Sequence, residues 1–173
     1  MVVIDATTLL LLFDPTASPP RDPSTKKPLD KCKERIQFLL TTLNDSGTRV
    51  IVPTPVLSEL LVRAGDAKPQ LLSEITGSPS FVVAPFDLKA AVELSFLLEA
   101  QKALGKRKMS DRETWAKLKF DRQIIAIAKV HSAKTIYSDD LGVESVAKAN
   151  GLKSVHTWEL PLPPAAAQGE LDL

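Results

Sequence analysis

Between Phe120 and Leu141 the chain reads FDRQIIAIAKVHSAKTIYSDDL, an apolar stretch with carboxylates at both ends. Asp121 stands at the apparent opening of a helix whose apolar face is Ile124, Ile125, Ile127 and Ala128. Asp139 and Asp140 stand where a buried strand, Thr135 to Tyr137, runs out. Desolvating an unpaired carboxylate is costly, so acids set against a core need a counter-charge, and a bound metal ion is one. Two more acids belong with them: Asp5, directly after the β-branched run VVI, and Glu59, within VLSELLVRA. Carboxylates without histidine or cysteine suit a hard cation such as Mg2+ or Mn2+, which takes oxygen ligands and keeps several waters. One or two such ions can generate hydroxide and stabilise the leaving oxygen in phosphodiester cleavage. Neither a P-loop nor a dinucleotide fingerprint is present, which disfavours a nucleotide-cofactor enzyme. A phosphotransfer domain built on D-x-D-x-T is disfavoured as well, because DATTL lacks the second acid.

The elements that must position these acids alternate in type. Val2 to Ile4 has the pattern of a central parallel strand buried on both faces. LLLLF then forms a short helix beginning near Asp5, with Thr7 and Thr8 at its start. DPTASPPRDPSTKKP, residues 14–28, is a proline-rich loop long enough to be mobile or functional. A helix follows over Leu29 to Leu43, then a strand over Arg49 to Val52. Thr54 is expected as N-cap and Pro55 as first residue of the helix carrying Glu59. A further helix lies around Pro69 to Thr76, and Phe81 to Ala84 is the third strand. Asp87 caps a helix over Leu88 to Leu104, and Ser110 with Glu113 makes a capping box. After the acidic stretch come a helix over Leu141 to Asn150 and a last strand over Lys153 to Trp158. Strands alternating with helices imply an open parallel sheet covered on both faces, with ligands beyond the carboxyl ends of the strands.

The bulk numbers suit this picture. At 173 residues and 44% apolar content, residues 1–160 are expected as one domain and 161–173 as a flexible C-terminal tail. The net charge of +1 leaves any nucleic-acid contact to a local patch. Lys106, Arg107 and Lys108 are the densest basic run: a phosphate grip in one reading, a solvated turn in the other. The single cysteine, Cys32, makes no internal disulfide and is expected as a buried thiol in a reducing, cytoplasmic setting. The N-terminal apolar run, broken by Asp5, is too short to span a membrane. His131 and His156 stand too isolated to suggest a base or ligand, and Trp115 and Trp158 suit a core or an interface.

Four segments in order resemble the motifs of the PIN-domain family: VVIDATTLL, VPTPVLSELL, FDRQIIAIA and IYSDDL. They cover residues 1 to about 155, and place the family's acids at Asp5, Glu59, Asp121 and Asp140, with Thr7 as the hydroxyl residue of the first motif. Ser138 takes the place of the threonine in the family's last motif. The resemblance implies a three-layer α/β/α sandwich around a parallel central sheet, PIN-like and Rossmann-like. It implies a divalent-metal-dependent endoribonuclease that hydrolyses RNA with one or two Mg2+ or Mn2+ ions, held by those four acids. Among compact bacterial members, the VapC-like toxins pair with an antitoxin and usually form homodimers. The proline-rich loop and the tail lengthen this chain beyond them. A PIN nuclease of another role, or a PIN-fold RNA- or protein-binding module with little catalysis, remains the alternative.

Each residue also has a plainer reading. Asp121 alone could be a helix N-terminal acid that favours the dipole. Glu59 alone could be a solvated helix residue, whereas Asp5 follows buried residues and is harder to explain away. Asp139 and Asp140 compete for one role, with the spacing favouring Asp140 and leaving Asp139 as a supporting group or N-cap. Thr7 and Ser138 could orient a carboxylate or cap a turn.

Overall fold

The computed structural model describes residues 1–103 and 115–164. Five strands form one wholly parallel sheet in the order β3-β2-β1-β4-β5: β1 Val2–Ile4, β2 Val50–Pro53, β3 Phe81–Ala84, β4 Thr135–Tyr137 and β5 Lys153–Val155. Every residue of β1 and β2 is buried, as the unbroken β-branched runs require of strands covered on both faces. Among the described residues seven helices flank the sheet: α1 Ala6–Phe13, α2 Cys32–Asp45, α3 Thr54–Ala64, α4 Lys68–Gly77, α5 Leu88–Ala103, α6 Trp115–Val130 and α7 Leu141–Ala149. This is the expected α/β sandwich. The chain lays β1, β2 and β3 side by side in one direction, then returns through α5 and α6 to place β4 on the other side of β1. The strand order therefore reverses between β1 and β4, the kind of crevice in which open α/β sheets bind ligands.

Several boundaries differ from the sequence reading, each for a local reason. Asp121 does not open a helix. Helix α6 has already run from Trp115 and carries Asp121 in its second turn, so dipole stabilisation at an N-terminus is not its role. Thr54 is the first helical residue of α3 rather than its N-cap, and its hydroxyl accepts the Phe86 N–H at 3.1 Å, tying α3 to the segment leaving β3. Helix α2 starts at Cys32 instead of Leu29, because Lys31 adopts a left-handed conformation (φ 56°) that breaks the turn. The last strand stops at Val155, and residues 157–159 turn into a single 3-10 turn. Asp87 caps α5 as expected, accepting the Ala90 N–H at 2.9 Å. The capping box Ser110–Glu113 and the basic run Lys106, Arg107, Lys108 lie outside the described residues.

The proline-rich loop 14–28 is a hydrogen-bonded tongue. Arg21 and Pro28 form an antiparallel bridge, Asp22 N–H donates to Lys27 O, and Lys26 N–H returns to Asp22 O. Asp22 Oδ1 accepts the Ser24 N–H at 2.7 Å, an Asx-type turn, and Asp14 Oδ1 does the same for the Thr16 N–H at 2.8 Å. Buried Leu29 anchors the far end, its N–H on Pro20 O.

Cys32 is buried, as expected, with its thiol directed at Leu29 O. Burial, and secondarily the Asp139 charge, push this thiol up to about 11. The folded state thus favours the protonated thiol. Its contribution to stability is whole below the ordinary value of 9.0 and is lost as pH climbs towards 11. Native protein is therefore expected to resist iodoacetamide at pH 8 and to alkylate fully once unfolded in urea. Labelling of native protein at the unfolded rate would contradict this.

Candidate active site

Parallel register decides which side chains meet at the switch point. Ile4 lies opposite Tyr137, so one residue further on Asp5 faces Ser138. Tyr137 lies opposite Val155, so two residues on Asp139 faces Thr157. Both pairs are bonded. Ser138 Oγ donates to Asp5 Oδ2 at 2.9 Å across a sequence separation of 133. Thr157 donates to Asp139 twice, from its N–H to Oδ1 and from its hydroxyl to Oδ2, each at 2.7 Å.

Asp5 is 4% exposed and its carboxylate is held by a double relay. Thr7 Oγ1 donates to Asp5 Oδ2 at 3.0 Å while accepting the Asp139 N–H at 3.1 Å. Ser138 Oγ accepts the Asp140 N–H at 3.1 Å while making its own bond to the same Oδ2. An amide can only donate, so each hydroxyl must spend its proton on Asp5. The turn after β4 thereby fixes the orientation of an acid at the end of β1. Burial pushes the Asp5 carboxyl above its usual value, and the Asp140 charge adds to this. The hydrogen bonds from Ser138, the Ala6 amide and Thr7 oppose the rise. Desolvation wins, so Asp5 is a carboxylate that lacks sufficient positive charge from the protein itself.

Asp140, not Asp139, caps α7: its Oδ1 accepts the Gly142 N–H at 2.6 Å and the Val143 N–H at 3.4 Å. Asp139 commits both oxygens to Thr157. The two neighbours thus differ in surroundings: Asp140 lines a cavity together with Asp5, whereas Asp139 is bonded to the turn after β5. A single cavity of about 340 Å³ is lined by Asp5, Thr7, Glu59, Asp121 and Asp140. Four segments far apart in sequence deliver these groups: the end of β1, the second turn of α3, the second turn of α6 and the N-cap of α7. Asp121 is 5% exposed, whereas Glu59 is exposed at the rim. The apolar walls are Pro55, Val56, Phe120, Ile124 and Val143. Among the described residues, no three of the His, Cys, Asp and Glu side chains already lie close enough to hold an ion between them. The acids instead ring a common space.

Two residues near the site were not anticipated. Thr157 was assigned to a strand, and only the β4–β5 register reveals it as the partner of Asp139. His156, expected to be isolated, is buried and stacked on Trp158 with ring centroids 4.1 Å apart. Its Nε2 lies 3.3 Å from Glu144 Oε1, and Lys148, then His156, hold the Glu144 carboxyl below its usual range.

No protein-family model matches the sequence, and no curated protein matches it. Solved structures do match the fold. The chain superposes on a chain of DNA-bound VapBC from Salmonella typhimurium with a TM-score of 0.56 at 15% identity, covering 90% of this chain and 97% of that one. It superposes on VapBC2 from Rickettsia felis, bound to a fragment of promoter DNA, with a TM-score of 0.54 at 13% identity, covering 90% and 98%. For VapC20 from Mycobacterium tuberculosis, a toxin that cleaves the Sarcin-Ricin loop, the TM-score is 0.50 at 13% identity, covering 88% and 98%. At such identities the likeness establishes a shared architecture, the PIN-like α/β sandwich, along nearly the whole length of each chain.

Proposed function

We propose that this chain is a divalent-metal-dependent endoribonuclease acting as the toxin of a type II toxin–antitoxin pair. The observation that carries the reading is the convergence of Asp5, Glu59, Asp121 and Asp140 on one cavity at the strand-order reversal. Their chemistry fits a hard cation: all are oxygen donors, with no histidine or cysteine in the lining. The raised Asp5 carboxyl supports the same conclusion, since a positive charge in the cavity reverses both desolvation and the repulsion from Asp140. We assign these four acids as the residues that would hold one or two Mg2+ or Mn2+ ions. Bound there, the metal would supply Lewis acidity to a phosphodiester and lower the pKa of a water.

The protein's own groups have distinct tasks in this reading. Thr7 and Ser138 keep one oxygen of Asp5 occupied and so aim the carboxylate. Asp140 is held by the α7 amides, and Asp139 is a supporting group, its N–H on Thr7 and its carboxylate on Thr157. Phe120, Ile124 and the other apolar walls limit water and strengthen the charge interactions inside. The VapBC and VapC20 architectures support a cognate antitoxin as partner and RNA as substrate. We further propose a homodimer and a cytoplasmic location, where Cys32 stays reduced. Among the described residues, no helix is long and apolar enough to cross a membrane.

Titration with Mn2+ is expected to show saturable binding that Asp121→Asn abolishes. The same protein is expected to cut single-stranded RNA in Mn2+ or Mg2+, with EDTA stopping the reaction. Wild-type protein that neither binds Mn2+ nor cuts RNA would overturn the proposal in favour of a binding module.

A further inference from the structure

A second cavity, of about 470 Å³, adjoins the acid cavity and shares Thr7 with it. Its floor is one face of α1, where Thr7, Leu10, Leu11 and Asp14 follow at helical spacing over about 10 Å. The opposite wall is the proline-rich tongue, contributing Thr16, Ala17, Ser18 and Pro20. Arg63, at the end of α3, closes the space.

The charges of this cavity are unequally committed. Asp139 gives both oxygens to Thr157, and Asp14 Oδ1 is taken by the Thr16 amide and hydroxyl. Arg63 forms no ion pair among the described residues, although its charge reaches Asp14 and helps to hold that carboxyl low. The cavity therefore presents an exposed guanidinium and the Ser18 hydroxyl above an apolar floor, beside the committed carboxylates of Asp14 and Asp139. A nucleotide has the matching combination: a phosphate for the guanidinium, hydroxyl partners on the ribose, and a base for the apolar face. The tongue also carries Arg21, Lys26 and Lys27 exposed, which favours a polyanion passing over it.

We propose that this cavity is a subsite for the nucleotide flanking the scissile bond of single-stranded RNA. Arg63 contacts its phosphate, and the face of α1 with the tongue receives its base. The subsite rests on the nuclease reading above and deepens it. The strand enters across the tongue, passes Arg63, and reaches the acid cavity past Thr7. The proline-rich insertion is then a substrate-binding wall.

The test measures binding of a short fluorescent RNA to metal-free protein by anisotropy across a salt series, separately from cleavage. Arg63→Gln is expected to weaken binding about tenfold and to reduce the salt slope by about one, and Arg63→Lys to restore most of both. Ser18→Trp, which fills the cavity without changing charge, is expected to weaken binding and leave the slope as in wild type. In cleavage assays the Arg63→Gln loss is expected in KM rather than kcat. Unchanged affinity and slope in Arg63→Gln, or a loss that Arg63→Lys does not restore, overturns the subsite. Wild-type protein that binds RNA but never cuts it removes the nuclease reading, and the binding series still decides whether Arg63 grips the strand.

Discussion

Asp5→Asn is expected to lower metal-dependent RNA cleavage by about a thousandfold, and at the same time to make the metal-free protein more stable. The first effect follows from the loss of one charge in the ligand set, where a metal contributes several kcal/mol of transition-state stabilisation. The second follows from burial. In the fold the Asp5 carboxyl is pushed above its ordinary value of 3.8, so the protonated form is favoured and the ionised form at neutral pH costs stability. Asparagine keeps a carbonyl oxygen to accept from Thr7 and Ser138, and removes the charge. In EDTA at pH 7 a higher Tm than wild type is expected. The sign is checked by acid. Stability contributed by a raised carboxyl is present below 3.8 and lost as pH rises, so the gain must shrink as pH falls towards that value. A variant that loses activity and also melts earlier in EDTA would mean that Asp5 is a structural acid.

The neighbouring pair Asp139 and Asp140 is expected to separate into opposite phenotypes. Asp139→Ala strips both bonds from Thr157, which is almost fully buried, and leaves its N–H and hydroxyl unsatisfied. At about 1–2 kcal/mol per buried donor, a loss of about 3 kcal/mol, or about 6–12 °C, is expected. The acid set itself is untouched, so the soluble fraction keeps cleavage within about tenfold of wild type. Asp140→Asn keeps the α7 cap, because asparagine serves as well as aspartate there. Its stability is expected within about 0.5 kcal/mol of wild type, while cleavage falls by about a hundredfold or more. Thermal melts and cleavage rates on the two variants decide the matter. If Asp139→Ala is the inactive, well-folded variant, the roles assigned here are reversed.

The parts of the site that were legible in the sequence are those that sit next to the pattern that reveals them. Asp5 and Asp140 follow short buried strands, and Glu59 follows a proline turn, so their elements announce them. The position of Asp121 within its helix was not legible. An acid ahead of an isoleucine-rich run looks like a helix start, and Lys117 and Lys119 blur the apolar spacing of the preceding turn. Thr54 misled for a related reason, since a threonine before proline has the signature of a cap, yet a bond to Phe86 across the sheet outcompeted it. Thr157 was invisible because its partner lies 18 residues away and the link depends on β4 and β5 being neighbours in register. Local chemistry is written locally, and pairings set by register are not.

The relay through Thr7 and Ser138 also imposes an order in time. Asp5 is made 133 residues before Ser138, one of the two hydroxyl residues that orient it. Until β4 has left the ribosome and paired with β1, the first acid has no aim, and Asp140 has no helix to cap. A chain interrupted before Thr135 carries three of the four acids, Asp5, Glu59 and Asp121, without Asp140, and one stopped before Thr157 leaves Asp139 unanchored. The acid site is therefore complete only once β4 and α7 have been made and have joined the sheet.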